Sequence, residues 1–461
     1  MRRLLIVGGV AAGMKAAATA RRQNPELDIV VMQDETDVSY SACGLPYHLA
    51  NPTEIARQKL IARTVERFHE DKIDVRIRHR VEAVDLIGRR ATVNDIAAAR
   101  DDIIPFDEII FATGARPITP PMHHTKGAVP IVTLRSFRDA DHLRQLAFSV
   151  RRVVIIGGGY VGLEMAETFR VQGAAVTIIE AMPRLLNAFD RVVGELVVAR
   201  LTSYGVEVRA NARIAAVTSK GIELESDGLI EADLVLAATG VRPKVDLMVA
   251  AGVQLGTTGA VAVDERMQVG IEGVYAAGDC VESRHVVSKK PVWYPLGDVA
   301  NRQGRVAGIN AAGGDARFPG VLGTAIFRVF ELAVARTGLG FAQAQQAGFD
   351  PERVAVRAPS RARYMPGSSP IDIILTADRG SGRILGAEVV GTDAVDKCID
   401  VLATATWTGM VVDNIADLDL AYAPPFSPVL PPVHVAADVA RKQLPVRVAP
   451  VAAPLKTGRK R

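Results

Sequence analysis

The apolar positions of this chain are distributed in three distinct rhythms. Near the N-terminus an uninterrupted apolar run, Leu4 to Val7, enters the glycine-rich turn GGVAAG (Gly8 to Gly13) and then the alanine-rich stretch AAATARR. A short all-apolar run bounded by glycine reads as a strand buried on both faces, and the alanines behind it as a closely packed helix. The same pattern returns at 153–167 as VVIIGGGYVGLEMAE, followed by a second apolar run, AVTIIEA, at 175–181. In the last third the rhythm changes. DIILTADRGSGRILGAEVVG at 372–391 alternates about a glycine-rich turn as paired strands do, and DKCIDVLATATWTGM at 396–410 has helical spacing. Strands followed by helices predict an α+β layer there, after an α/β region.

The glycine turns narrow the chemistry. A strand, a tight glycine turn and a helix N-terminus present unpaired N–H groups to a pyrophosphate. Gly157, Gly159 and Gly162 complete the dinucleotide pattern, whereas Val10 replaces the middle glycine of the first turn, leaving Gly8 and Gly13. The strand after the second turn ends at Glu180, placed to accept hydrogen bonds from a ribose diol and to repel a 2′-phosphate, which favours NADH over NADPH. In the first unit the equivalent strand, DIVVMQDE, ends at Gln33 and Asp34. Gln33 can hydrogen-bond a ribose, and Asp34 is the charged alternative one residue on. Two turns about 150 residues apart imply two nucleotides. IIFATGARP at 109–117, with Thr113 and Gly114, and LAATGVRP at 236–243, with Gly240, echo each other and are expected to mark the chain crossings between the two folds. In VYAAGDCVE (274–282), Asp279 follows a buried strand and a glycine, a place from which its carboxylate can hold a ribityl hydroxyl.

Composition excludes other classes. With 461 residues and 49% apolar side chains the chain is long enough for about two to four domains with sizeable cores. No stretch approaches the roughly 18 apolar residues of a membrane span, and the run after Met-Arg-Arg ends too early for a secretory signal. Three cysteines build neither a disulfide framework nor an iron–sulfur site, so a reducing cytoplasm is expected and no metal. The net charge of +4 is concentrated in the tail 446–461, which carries five basic residues, two prolines and no acid. The remainder is close to neutral and 5% aromatic, giving no nucleic-acid face. The tail is either a solvated extension or a strap for an acidic partner.

Taken together, GGVAAG, SYSACGLPY (39–47), GGGYVGLE, ATGVRP, YAAGDCVE, ANRQGRVAG (300–308) and DLAYAPPFSP (419–428) resemble the FAD-dependent pyridine nucleotide-disulfide oxidoreductases over about residues 3–444, most closely the single-cysteine branch of coenzyme A disulfide reductases and NADH oxidases. The resemblance implies an α/β fold with two Rossmann-like dinucleotide-binding domains, for FAD and NAD, and a C-terminal α+β dimerisation domain. Its divisions would be an FAD domain at 1–112 and 245–319, an NAD domain at 113–244, an interface domain at 320–445 and the tail at 446–461. It assigns Gly8, Gly13, Gln33, Asp34, Thr113, Gly114, Asp279 and Asn301 to FAD, and Gly157, Gly159, Gly162, Glu164, Glu180 and Gly240 to NAD. Relatives that pass electrons internally carry two cysteines five positions apart. Here Cys43 stands alone, with His48 in the partner's place, so its oxidised form is expected to be a sulfenic acid or a mixed disulfide. A start of a helix at GLPYHLA, with a flavin beside it, would lower the Cys43 pKa. Cys280 and Cys398 read as packing residues.

The branch further implies a homodimer in which Tyr422 and Tyr364 approach the other subunit's cysteine as proton donors, a core position being the alternative for each. Lys15, Arg22, Ser39 and Arg63 fall where the nucleotide end of coenzyme A is held, unless they are solvated surface residues. Ala42 departs from the asparagine often found before the cysteine. Ala11 stands where peroxidases carry a histidine, which argues against peroxide chemistry. The expected function is NADH-linked reduction of a coenzyme A disulfide, a persulfide or a related small disulfide. A second reading is a flavin subunit exchanging electrons with an iron–sulfur partner, as in phenylglyoxylate dehydrogenase.

Overall fold

The apolar run Arg3–Val7 is the central strand of a five-stranded parallel sheet, in which its neighbours are Asp28–Gln33 on one side and Glu108–Phe111 on the other, with Ile73–Ile77 and Val274–Ala276 at the edges. Leu4, Leu5 and Ile6 are fully buried because helices cover both faces of such a sheet. A second parallel sheet repeats the arrangement, with Arg152–Ile156 between Ala175–Glu180 and Leu234–Ala237, flanked by Val206–Ala210 and Ile131–Val132. The structure, a computed structural model, describes residues 2–147, 150–226 and 228–444; the tail predicted at 446–461 lies outside them. Its chain divides into one compact unit of residues up to 187, 194–285 and 289–321, and a second of 188–193, 286–288 and the chain from 322 onward. Both parallel sheets belong to the first unit. No helix among the described residues is long and apolar enough to cross a membrane.

Each parallel fold also carries a small antiparallel meander, 79–105 in the first and 214–231 in the second. The two Thr-Gly segments meet, as expected of chain crossings. Ala115–Pro117 pairs antiparallel with Val241–Pro243, Thr113 Oγ1 donates to Lys244 O at 2.6 Å, and Thr239 Oγ1 donates to Ile118 O at 2.6 Å. The Lys244 N–H donates to Gly114 O, and the Ile118 N–H to Gly240 O. The clasp is thus nearly two-fold symmetric. The late helix Gly297–Ala311 returns to the first fold and lies against the helix Ala11–Gln23 at backbone distance. Cβ atoms at Gly304 and Gly308 would sit 2.2 and 2.4 Å from the carbonyl oxygens of Ala12 and Ala16.

The second unit is the predicted α+β layer. Its antiparallel sheet runs in the order 325–329, 332–338, 384–391, 370–378, 351–359. The two periodicities of the sequence meet in one core: Ile371, Ile373 and Leu375 at strand spacing face Val395, Cys398, Ile399 and Leu402 at helical spacing. The helix Pro432–Gln443 adds Val433, Ala436, Ala437 and Ala440, and starts on a proline whose missing N–H would have no helical partner. Gly409 at φ 72° ends the helix Val395–Thr408 in the left-handed conformation that glycine adopts without strain.

Because the atoms facing Gly308 are backbone and cannot turn aside, Gly308→Val should force the two helices apart at a cost of about 1–3 kcal/mol, lowering Tm by roughly 1–3 °C in a chain of 461 residues. Calorimetry of the holoenzyme checks it; an unchanged transition would mean the helices have room to spare.

Candidate active site

The two glycine turns share one framework. Gly8 N–H donates to Met32 O and Gly157 N–H to Ile179 O, both at 2.8 Å. A Cβ on Gly13 would stand 1.8 Å from Gly8 O, and one on Gly162 2.1 Å from Gly157 O, so each helix starts closer to its own turn than any side chain allows. The middle positions differ. Gly159 faces open space, where a pyrophosphate can approach the helix Tyr160–Val171, while Val10 keeps φ at −107°, a conformation that carries a Cβ. The strand ends correspond as well: Gln33 Oε1 accepts from Gly9 N–H at 2.8 Å, and Glu180 Oε2 accepts from Gly158 N–H at 2.9 Å. Gln33 is therefore the counterpart of Glu180. Asp34 turns instead to Lys244, 3.3 Å away, and Arg80. The first turn, with Gly114 also facing open space, fits the pyrophosphate of FAD.

Cys43 is the one exposed thiol of the three; Cys280 and Cys398 are buried, and burial pushes Cys398 up to about 12. Cys43 lies in the 3₁₀ turn Ala42–Gly44, which leads into a helix of only six residues, Leu45–Ala50. A Cβ on Gly297, the first residue of the late helix, would lie 4.0 Å from its Sγ. The sulfur reaches solvent but is flanked by protein, and this desolvation, followed by the Glu164 carboxylate, raises its pKa. Asp279 and Asp298 act in the same direction and Arg135 against it. The lowered pKa expected from a helix start is thus not a property of the polypeptide alone: a six-residue helix has little dipole, and burial with nearby carboxylates outweighs it. His48, in the position of the absent second cysteine, is buried, and its Nδ1 lies 2.7 Å from Ile55 O, bracing the loop that follows.

Four residues that sequence reading passed over complete this surround. Arg135 forms an ion pair with Asp279, the predicted ribityl ligand. Trp293 Nε1 donates to Asp279 O at 2.9 Å. Gln303, buried within ANRQGRVAG, accepts from Gly278 N–H and donates to Ser283 Oγ, both at 2.8 Å, and so fixes the Gly278–Asp279 turn. Tyr47 donates to Glu164 Oε1 at 3.1 Å. Glu164 itself is pushed up to about 7, chiefly by desolvation. Gln303 and Tyr47 lay in motifs that had already drawn notice, ANRQGRVAG and SYSACGLPY, but neither had been singled out.

The other predicted residues are placed as follows. Asn301 is exposed and donates back to Gly297 O in its own helix at 3.0 Å. Arg63 stacks over Phe68 and pairs with Asp71, Arg22 is exposed with Nη2 3.1 Å from Thr19 Oγ1, and Lys15 is partly exposed. Ser39 has a left-handed φ of 51°, sparsely populated for a residue with a Cβ, and its N–H donates to Gly9 O. In the second unit Tyr422 is 49% and Tyr364 75% exposed, which excludes a core role for either.

Residues 2–304 match the pyridine nucleotide-disulphide oxidoreductase family, and residues 324–433 its dimerisation domain. The NAD(P)H coenzyme A polysulfide/persulfide reductase of Pyrococcus horikoshii is 36% identical over 455 residues, covering 95% of this chain and 98% of the relative. A coenzyme A disulfide reductase of Staphylococcus aureus is 29% identical, covering 93% and 97% respectively. The solved structure of a NAD-dependent persulfide reductase from A. fulgidus superimposes with a TM-score of 0.91 at 38% identity, over 96% of this chain and 83% of that one. With paired glycine turns, a clasped crossover and a C-terminal antiparallel layer all in place, the chain belongs to the pyridine nucleotide-disulphide oxidoreductase family of FAD- and NAD(P)H-dependent flavoenzymes.

Proposed function

We propose that this enzyme uses NADH to reduce a coenzyme A disulfide, a coenzyme A persulfide or a related small disulfide through Cys43. The observation that carries the reading is the position of Cys43, the single exposed thiol, beside Gly297 of the late helix and in the field of Glu164 of the second nucleotide fold. The reductases named above, similar along nearly the whole chain, support the substrate class. None of them is named as a subunit of a larger dehydrogenase, so an iron–sulfur partner draws no support from them.

Bound FAD would supply the passage of an electron pair from the nicotinamide to the sulfur of Cys43. The residues around it hold and orient. Gly8, Gly13 and the Ala11–Gln23 helix receive one pyrophosphate, Gln33 the adjoining ribose, Asp279 a ribityl hydroxyl, and Thr113, Gly114 and Asn301 the rest of the cofactor. Gly157, Gly159, Gly162, Glu164, Glu180 and Gly240 receive NADH. The Cys43 thiolate attacks one sulfur of a disulfide, expelling the other as a thiolate and leaving a mixed disulfide; with a persulfide it attacks the terminal sulfur, expels the coenzyme A thiolate and is left as a persulfide. The electron pair from NADH then breaks that bond, freeing the second thiol and restoring Cys43; one proton from solvent balances NADH and disulfide against NAD⁺ and two thiols. Exposed Tyr422 and Tyr364, in the unit matching a dimerisation domain, are suited to give that proton across a homodimer interface. Lys15, Arg22 and Ser39 are the candidates for the phosphates of the substrate; Arg63, already held by Asp71, would have to exchange partners. A free redox thiol suits a reducing cytoplasm.

Cys43→Ser should keep its flavin and NADH-driven flavin reduction but lose disulfide turnover, as stopped-flow absorbance with a turnover assay would show; full turnover in the variant would overturn the reading. NADH should be preferred to NADPH, and Glu180→Gln, which keeps an acceptor for Gly158 N–H but removes the charge, should narrow the ratio of kcat/KM values by roughly tenfold; a ratio that does not move would clear Glu180 of the discrimination. Since the Glu164 pKa is raised in the folded state, that state binds more protons between the ordinary carboxyl value of 4.5 and about 7, and stability falls as pH rises through this window. Urea midpoints at pH 5 and pH 8 should therefore drop more for wild type than for Glu164→Gln, and parallel curves would show that Glu164 titrates normally.

A further inference from the structure

The helix Tyr160–Val171, which opens from the second glycine turn, carries Glu164, Thr168 and, at its C-cap, Gln172, spaced four apart and so along one stripe. All three engage the short helix that follows Cys43. Tyr47 donates to Glu164 Oε1 at 3.1 Å, Thr168 Oγ1 lies 3.1 Å from Pro46 O, and Gln172 Nε2 donates to Leu49 O at 2.7 Å. Thr168 is buried and shares its hydroxyl proton between Pro46 O and its own helix at Glu164 O, 3.0 Å away. Leu49 O is among the last four carbonyls of Leu45–Ala50, which have no partner within the helix.

A six-residue helix does not hold its own place in water, so its position is set by whatever it docks on. Apolar packing would be the ordinary solution between two helices; here three polar groups in succession grip two main-chain carbonyls and a phenol. Hydrogen bonds to main chain fix position along and around a helix, whereas apolar contacts tolerate sliding. The thiol sits in the 3₁₀ turn directly ahead of this helix, so any slip of the helix moves the sulfur. Reactions of this kind are sensitive to displacement: a shift of about 1 Å can cost on the order of a hundredfold.

We propose that Glu164, Thr168 and Gln172 form a bracket through which the NADH-binding helix positions Cys43, making Thr168 and Gln172 positioning residues for the thiol step, remote from the sulfur and distinct from the nucleotide contacts. The proposal rests on the reading of Cys43 as the redox thiol. It predicts that the two halves of the reaction separate: the helix start at the glycine turn, and hence hydride delivery, stays intact when the far end of the stripe is altered.

The test uses the FAD-loaded enzyme with Thr168→Val, Gln172→Ala and the conservative Thr168→Ser. In stopped-flow, flavin reduction by NADH should stay within twofold of wild type for all three. Turnover with coenzyme A disulfide should fall roughly tenfold in Thr168→Val and Gln172→Ala, equivalent to about 1.4 kcal/mol, and return in Thr168→Ser. Alkylation of Cys43 by N-ethylmaleimide, read by mass spectrometry and independent of any substrate, should shift at least threefold in the same two variants. Turnover and alkylation both within twofold of wild type would overturn the bracket, as would equal losses in both half-reactions, the mark of a general structural defect. Should Thr168→Val fail to fold, Gln172→Ala, altered at an exposed C-cap, decides alone. Turnover retained in Cys43→Ser would refute the redox reading itself; turnover lost there but intact in both bracket variants would refute the bracket alone.

Discussion

The molecule depends on a contact between backbones that leaves no space for a side chain. In each nucleotide fold the third glycine of the turn lies against the carbonyl of the first, and the first lies against the neighbouring Thr-Gly strand, with a Cβ on Gly8 placed 2.2 Å from Ala112 O and one on Gly157 2.5 Å from Ala238 O. The turn is thereby clamped between its own helix and the adjacent strand. That clamp sets where the helix N-terminus points and hence where a pyrophosphate is received. It also fixes the ends of the Thr-Gly strands, from which the crossover between the two folds departs.

Given one device used twice, the differences between the copies carry the specialisation. Gln33 and Glu180 make the same hydrogen bond to their turns, yet one is neutral and the other charged. On the proposed reading the charge of Glu180 would discriminate against a 2′-phosphate, a task relevant to a nicotinamide nucleotide and irrelevant to FAD, which accounts for a first copy with the same geometry and no charge. The helices diverge likewise. Ala11–Gln23 is lined with alanine and receives Gly304 and Gly308 at backbone distance, as a permanent core contact. Tyr160–Val171 presents a polar stripe to the segment bearing Cys43.

The parallel sheets were legible because strands buried on both faces leave continuous apolar runs, and the α+β layer because strand and helix periods each survive in one core. The meanders at 79–105 and 214–231 were not. Their strands mix buried and exposed positions irregularly, with a bulge at Val81/Ala83 in the first and at Ile214/Ala216 in the second, so no clean alternation marks them. At the site, Cys43, Asp279 and Glu180 stood out through motif and spacing. Arg135, Trp293 and Tyr47 did not, since each acts through a partner distant in sequence: Arg135 on Asp279, Tyr47 on Glu164. The engagement of Arg63 by Asp71 was equally invisible, as a basic residue looks the same in sequence whether free or paired.

The direction of the Cys43 pKa in the polypeptide is set by more than the helix start that follows it. A cysteine ahead of a helix suggests a stabilised thiolate, but the dipole available from six residues is small, and the sulfur shares its surroundings with Glu164, Asp279 and Asp298. Arg135, the opposing cation, is already committed to Asp279. Whatever stabilises a thiolate here has to outweigh that desolvation and those carboxylates. A proton taken up by Glu164, whose pKa is pushed up to about 7, removes the strongest of the opposing charges, so thiolate formation on Cys43 and protonation of Glu164 favour each other. Tyr47, on the short helix that follows Cys43, donates to Glu164, so the same carboxylate takes part in both the electrostatic link and the three-contact bracket.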